Sequence, residues 1–307
     1  MNEVSVITTS FNDAKNIIGY LDNICSQSIL PNEIIIADGG STDDTIAIIE
    51  AYKSKTNVPI RVLQKGRLNI AQGFNLGITK SNTKLVCLTC IGNSFPNDML
   101  ANLLVGYKES PCDACYGKMV GKANGKISEL YNKCFVGGDI GLPVMSNRCV
   151  LYDKSVFDKV GLFLEKFHYA GEDAEFLYAF KKNGCKAKYI PEVVVYWETP
   201  NCWKEYLGKL KFYSIAELQY DRIFNQFVNR DSIFLLILLI SIITCTLCNI
   251  LFLFIPLAIF TLVLCYAIIV KGMSPIETFF FFSRGYIKLF YKIKYMKYCF
   301  VKNRVRR

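Results

Sequence analysis

Ile34-Ile35-Ile36-Ala37-Asp38-Gly39-Gly40-Ser41-Thr42-Asp43-Asp44-Thr45 is the stretch on which the reading of this 307-residue chain turns. Three β-branched residues and an alanine, with no polar alternation, predict a strand buried on both faces, as in a parallel sheet. Asp38 stands at its carboxyl end. Gly39 and Gly40 permit a sharp turn, and Ser41, Thr42 and Asp43 are each suited to cap the helix opened by Thr45-Ile46-Ala47-Ile48-Ile49. A charged acceptor is thereby held beside a helix N-terminus, at the strand end where open α/β sheets take ligands. A plain strand–turn–helix with a good cap has the same pattern, so the surrounding chain must decide.

Upstream, Val4-Ser5-Val6-Ile7-Thr8-Thr9 predicts a first strand, and Ser10-Phe11-Asn12-Asp13 ends it before Ile17, Leu21 and Ile24 recur at helical spacing. Downstream come a strand over 60–63, a helix within 66–80 with Ile70, Phe74 and Ile78 on one face, and a strand over 85–89. Strands separated by helices predict crossover connections and a mainly parallel sheet. The second half is less regular. It predicts a strand over 145–152, a short helix over 154–160, and a helix opened by Gly171-Glu172-Asp173 and stopped at Asn183-Gly184. Two short strands, 187–190 and 193–197, flank Pro191.

Charge is unevenly placed. Residues 271–307 carry ten Lys and Arg against Glu277 alone, so +9 of the net +10 belongs to the tail. The basicity is therefore not a nucleic-acid-binding face of the main domain. The 13 cysteines are scattered and no secretory signal opens the chain, which leads to the expectation of free thiols in a reducing cytosol. Cys112 and Cys115 form one C-x-x-C without a second pair, and His168 is the single histidine, so metal ligands stay unassigned. Residues 232–270 carry no charge, twice the ~20 residues that span a bilayer. Asn249 and Pro256 interrupt them, which predicts two linked spans at about 233–248 and 251–269; one long tilted helix or a re-entrant hairpin is the alternative. In the tail, Phe279, Phe282, Tyr286, Phe290, Ile293 and Phe300 recur near helical spacing while Arg284, Lys288 and Lys292 advance by four on another face. That pattern predicts an amphipathic helix on an anionic membrane surface, with a flexible basic tail as the plain alternative because Lys297 breaks the pattern.

Four blocks in order carry a resemblance: Val6 through Asn12; Asp38 through Thr45; Gly66 through Asn75-Leu76-Gly77-Ile78; and Gly161-Leu162-Phe163 followed by Gly171-Glu172-Asp173. Together they resemble the inverting family-two glycosyltransferases of GT-A fold, over residues 4–197. The resemblance implies a nucleotide-diphosphate sugar donor. It implies Thr8 and Ser10 lining the base, Asp38 accepting from base or ribose, and Ser41 and Asn75 among the donor contacts. It also implies Asp173 as general base and Glu172 orienting the acceptor or the base. Arg67 suits a diphosphate by its own chemistry, and a solvated loop charge equally well. Glu172 and Asp173 also suit a helix N-terminus on electrostatic grounds alone.

The chain departs from that family at the end of the fourth strand. An Asp-x-Asp is expected there, to hold Mg²⁺ or Mn²⁺ on the diphosphate. The sequence is Leu88-Thr89-Cys90-Ile91-Gly92-Asn93, with Cys90 and Gly92 in place of the carboxylates. A thiol is a poor ligand for a hard cation. Three readings follow: a metal held by the diphosphate and other residues, a metal-free enzyme using Arg67 or lysines, or a non-catalytic nucleotide-sugar-binding or scaffold subunit. Gln219-Tyr220-Asp221-Arg222-Ile223 is similar to the Gln-x-x-Arg-Trp of processive synthases but lacks its Trp, so transfer of a single sugar is expected. The expected organisation is an α/β GT-A-like, Rossmann-type mixed sheet flanked by helices in 1–225, a transmembrane hairpin in 226–272 and a basic amphipathic tail in 273–307. The expected function is inverting transfer to a lipid-linked or glycan acceptor at the cytoplasmic face of the inner membrane. Both termini are expected in the cytoplasm, in a bacterial polysaccharide or envelope pathway, with no nucleic-acid partner.

Overall fold

The isoleucine run forms β2 (Glu33–Asp38), and all six of its residues are buried. A computed structural model describes this strand within residues 4–110, 112–137, 141–223 and 273–301. β1 (Val4–Ser10), β3 (Ile60–Gln64) and β4 (Leu85–Thr89) run parallel to β2 in the order β3-β2-β1-β4. The order reverses beside β1, which opens a crevice at the carboxyl ends of β1, β2 and β4, the usual ligand position in such sheets.

Beyond β4 the sheet is mixed, as expected of the whole. β8 (Cys149–Asp153) joins β4 antiparallel, and β6 (Ala114–Lys122) joins β8 antiparallel. β9 (Ala187–Glu198) runs parallel to β6, with the two-residue β5 (Asn93–Ser94) antiparallel at its far edge and β7 (Leu142–Pro143) pairing with β6. The strand expected over 145–152 begins only at Cys149, because polar Ser146-Asn147-Arg148 forms the turn into it. The two strands expected around Pro191 are one strand whose register to β6 breaks between Tyr116 and Lys118. Gly117 makes that bulge possible, since a Cβ there would lie 2.1 Å from the Val193 carbonyl oxygen.

The sheet is covered on both faces. On one face, α1 (Ile17–Cys25), α2 (Thr45–Tyr52) and α4 (Met99–Glu109) pack on Val4, Val6, Ile34 and Ile36. On the other, α3 (Ile70–Lys80), α6 (Val156–Val160) and α7 (Glu172–Lys182) pack on Ile7, Ile35, Val86 and Leu88. α3 uses Ala71, Phe74 and Ile78, whereas Ile70 is exposed, a correction to the expected face. It rides close to β1 through Gly73 and Gly77, where added Cβ atoms would lie 2.6 Å from Thr9 and 2.4 Å from Ile7. α5 (Lys126–Phe135) clamps β6, its Asn132 donating from Nδ2 to the Gly121 carbonyl at 2.8 Å.

Packing divides the chain into two compact units, Met1–Thr199 and Pro200–Arg307. In the second, α8 (Trp203–Ile223) packs on α9 (Pro275–Val301). Ser274 and Glu277 form a reciprocal cap at the start of α9, and Pro275 sits at the first helical position, where its missing N–H costs nothing. Tyr206 and Phe280 stack at 4.6 Å. Lys288 and Lys292 turn to Glu217 on α8, and Lys292 also reaches Asp221 at 3.7 Å. The basic stripe expected at a membrane surface thus meets α8, and the outward stripe is Ile276, Phe279, Tyr286, Phe290 and Ile293. The spans expected near 233–248 and 251–269 lie outside the described residues. Among the described residues, no helix is long and apolar enough to cross a membrane.

Candidate active site

The site is built first from the loops that leave β1 and β2. Asp38 is buried, and its Oδ2 accepts from the Gly40 and Ser41 backbone N–H groups, both at 3.0 Å. Its Oδ1 accepts from the Ser41 hydroxyl at 2.5 Å. A carboxylate has about four acceptor positions, and three of them organise this turn. Gly40, at φ +88°, supplies the conformation that brings those amides round. The β1 loop is laced to the same turn. Asn12 accepts from the Thr42 N–H at 2.8 Å, and its own N–H donates to Ser41 Oγ at 2.9 Å. Asp13 receives the Phe11 N–H at 3.0 Å. Burial, with the Asp43 and Asp38 charges adding to it, raises the Asp13 carboxyl above the ordinary carboxylate range.

Several expected donor contacts have other work. Thr8 is fully buried within the sheet beside Tyr20, whose hydroxyl meets Thr89 Oγ1 at 2.6 Å. Asn75 is also buried. Its amide donates to the Phe163 carbonyl and to Glu165 Oε1, each at 2.9 Å, and its carbonyl accepts from the Phe163 N–H at 2.9 Å. Asn75 therefore clamps the 161–165 loop on α3. Ser10 stays a candidate: it pairs in register with Asp38, and its buried hydroxyl has no hydrogen-bond partner among the described residues. Arg67 is exposed, its guanidinium carbon 5.9 Å from the centre of the Phe11 ring and its backbone packed against Gly40.

The second half of the site gathers at the end of β4. Cys90 begins a tight turn in which the Asn93 N–H and Nδ2 both donate to the Cys90 carbonyl, at 3.3 and 3.2 Å. Gly92 sits in it at φ +83°. The Cys90 thiol donates to the Asn147 carbonyl at 3.5 Å. From the same segment, Ser146 Oγ donates to Asp173 Oδ2 at 3.3 Å, and Asn147 Nδ2 makes a long contact of 3.5 Å with Glu172 Oε1. Residues 146–148 thus bring the first turn of α7 to the carboxyl end of β4. Gly171 enters α7 at φ +123°, and Phe176 and Phe180 anchor the helix in an aromatic cluster with Tyr152, Phe157 and Phe163. The sequence signal for the 146–148 segment is the polar triplet interrupting an otherwise apolar run.

The two α7 carboxylates have unlike environments. Glu172 is buried with its Oε2 unpartnered, and burial, then the Asp173 charge, raises it to about 7. Asp173 is half-exposed and also accepts from the Ala174 N–H at 2.8 Å. A carboxyl group open to solvent is thereby set beside a buried neighbour able to hold a proton near neutrality. The end of β4 does not fit a divalent cation. Burial pushes the Cys90 thiol up to about 12, Gly92 has no side chain, and no group of three His, Cys, Asp or Glu suited to a metal occurs among the described residues. Cys112 and Cys115 lie with their sulfurs 3.4 Å apart, without further ligands of that kind.

Residues 5–126 match the family described as Glycosyl transferase family 2. A relative from Methanococcus voltae is named dolichyl N-acetyl-α-D-glucosaminyl phosphate 3-β-D-2,3-diacetamido-2,3-dideoxy-β-D-glucuronosyltransferase. It is 27% identical over 236 residues, which are 71% of this chain and 73% of the relative. Among solved structures, the mannosyltransferase PcManGT from Pyrobaculum calidifontis, in complex with GDP-Man and Mn²⁺, superposes with a TM-score of 0.63 at 16% identity, covering 95% of this chain and 87% of that one. S. aureus TarS gives 0.52 at 19% identity over 70% of this chain. This chain spans only 39% of TarS, of which a shorter form has been solved with UDP-GlcNAc. These likenesses give the sheet and its helices the GT-A fold.

Proposed function

Because residues 5–126 match the glycosyl transferase family 2 and a glycosyltransferase is 27% identical over 236 residues, we propose that this chain is a glycosyltransferase that transfers one sugar, with inversion, from a nucleotide-diphosphate sugar to a lipid-linked or glycan acceptor. The observation that carries this reading is the meeting of Asp173 and Glu172 with the end of β4 through Ser146 and Asn147. In this mechanism the acceptor hydroxyl oxygen attacks the anomeric carbon while Asp173 takes its proton. The anomeric carbon–oxygen bond to the diphosphate breaks on the opposite face, and the nucleoside diphosphate leaves with that electron pair. Glu172 positions Asp173 and the acceptor. Ser10, Ser41, the Asp38 turn and Arg67 form the nucleotide end.

The lipid-linked acceptor is supported by the Methanococcus relative, whose name specifies a dolichyl-phosphate-linked sugar. Membrane attachment is supported by the uncharged run at 232–270 and by the exposed apolar stripe of α9. On this reading 1–225 is the transferase domain, 226–272 the membrane hairpin and 273–307 the interfacial tail, with both termini at the cytoplasmic face. A bacterial polysaccharide or envelope pathway is the proposed setting. The Pyrobaculum neighbour holds Mn²⁺ with GDP-Man. A divalent ion here would be carried by the donor diphosphate, not caged by the residues that end β4.

The test incubates the full chain, in vesicles, with a panel of nucleotide sugars, with and without a lipid extract. Nucleoside diphosphate release with one donor, increased by the extract and lost in Asp173→Asn, supports the proposal. Binding of a nucleotide sugar with no turnover under any condition would favour the scaffold reading instead.

A further inference from the structure

We propose that Arg148 is the protein's own cation for the donor diphosphate, standing at the end of β4 where the Asp-x-Asp carboxylates are missing. The inference rests on the glycosyltransferase reading above. A leaving nucleoside diphosphate develops charge that a positioned cation must stabilise. Cys90 and Gly92 do not cage a metal for that purpose, as their chemistry shows.

Arg148 is held at this place from three sides. It directly precedes β8, whose first residue, Cys149, pairs with Thr89, the last residue of β4. Its Nη1 donates to Asn93 Oδ1 at 3.4 Å, and the Asn93 amide in turn binds the Cys90 carbonyl at 3.2 Å. Its guanidinium carbon lies 4.6 Å from the centre of the Trp197 ring, and Trp197 pairs in register with Asn93. An arginine stacked on an aromatic face is pre-oriented and loses little freedom when it binds.

What holds Arg148 does not use it up. A guanidinium has five N–H donors, and the long bond to Asn93 is the one it makes among the described residues. It forms no ion pair with an acid among them, and its charge lowers the Cys90 thiol where those of Glu172 and Asp173 raise it. A half-buried arginine with free donors facing the end of β4 is suited to an anion with paired oxygens, as a diphosphate has. Arg67, exposed on the far loop, is less constrained.

Titration of the full chain with UDP, GDP, CDP and dTDP, each beside its nucleoside, tests this in EDTA and in Mn²⁺. The nucleotide bound most tightly is then carried to variants. The expected result is a diphosphate affinity in EDTA within about threefold of that in Mn²⁺, since the main cation is covalently part of the chain. Arg148→Gln should weaken the diphosphate at least tenfold, about the value of a charge-assisted hydrogen bond, and leave the nucleoside unchanged. Arg148→Lys keeps the charge and the Trp197 contact, and should recover part of the loss; it also separates charge from folding, with thermal midpoints measured beside it. Binding that vanishes in EDTA, or an Arg148→Gln protein that binds the diphosphate like the parent, would overturn the proposal and leave the transferase reading intact. No binding of any nucleotide in either medium would sink both.

Discussion

Glu172→Gln should stabilise this protein, and should do so increasingly as pH rises from 4.5 to about 7. Burial and the Asp173 charge hold Glu172 at about 7 against 4.5 for an unperturbed glutamate. Between those values the folded carboxyl keeps its proton while the unfolded one has lost it. Stability therefore falls as pH rises through this window, and the loss is complete above 7. At ~1.4 kcal/mol per pH unit, ionised Glu172 costs the fold about 3 kcal/mol. Glutamine does not ionise, and its carbonyl can take the long Asn147 contact that Oε1 now makes. The variant should gain under about 1 kcal/mol at pH 5 and about 3 kcal/mol at pH 8. For a unit of this size that is a rise in Tm of about 5–10 °C at pH 8. Thermal unfolding of parent and variant in detergent, at both pH values, measures it. A gap equal at the two pH values, or a variant less stable at pH 8, would show that Glu172 is not a neutral buried acid, and the division of roles between Glu172 and Asp173 would fall with it.

Asp173→Asn should lower turnover by about 10²–10⁴ with donor affinity nearly unchanged, read from steady-state rates and nucleotide titration; a parent-like rate would remove Asp173 as the base. Asp38→Ala deletes three hydrogen bonds that shape the nucleotide turn. It should lower Tm and weaken nucleotide binding about tenfold or more, and a change in neither would detach Asp38 from the site. Asn75→Ala strips both partners from the Phe163 backbone; it should cost about 2 kcal/mol of stability, whereas a selective loss of donor affinity would return Asn75 to the ligands. Glu217→Gln leaves Lys288 and Lys292 facing each other with Asp221 alone, and should cost about 2 kcal/mol; an unchanged melting profile would mean that α8 and α9 do not depend on these pairs.

The sequence by itself determined the β1–β4 half of the fold, because each local signal there agrees with the global structure. The 34–37 run, the Gly39-Gly40 turn and the apolar spacings of α1 and α2 all serve one parallel sheet. Glu172-Asp173 at the head of a helix was legible for the same reason: a glycine, acids in the first turn and a glycine stop specify α7 locally. The β6–β9 half was legible only as separate elements, without β6 and without the strand pairing. Its strands are set by pairings between segments distant in sequence, and its Pro191 is read locally as a break when it lies at a register shift within one strand. Side-chain roles needed the tertiary structure most. Thr8 and Asn75 lie in matching motif blocks, yet one faces a buried tyrosine and the other clamps a loop. Arg148 carries no motif at all; only the pairing of β4 with β8 and the Trp197 ring from β9 bring it beside Cys90. Strand and turn chemistry is written in neighbouring residues, but a charge is positioned by whatever the chain folds against it.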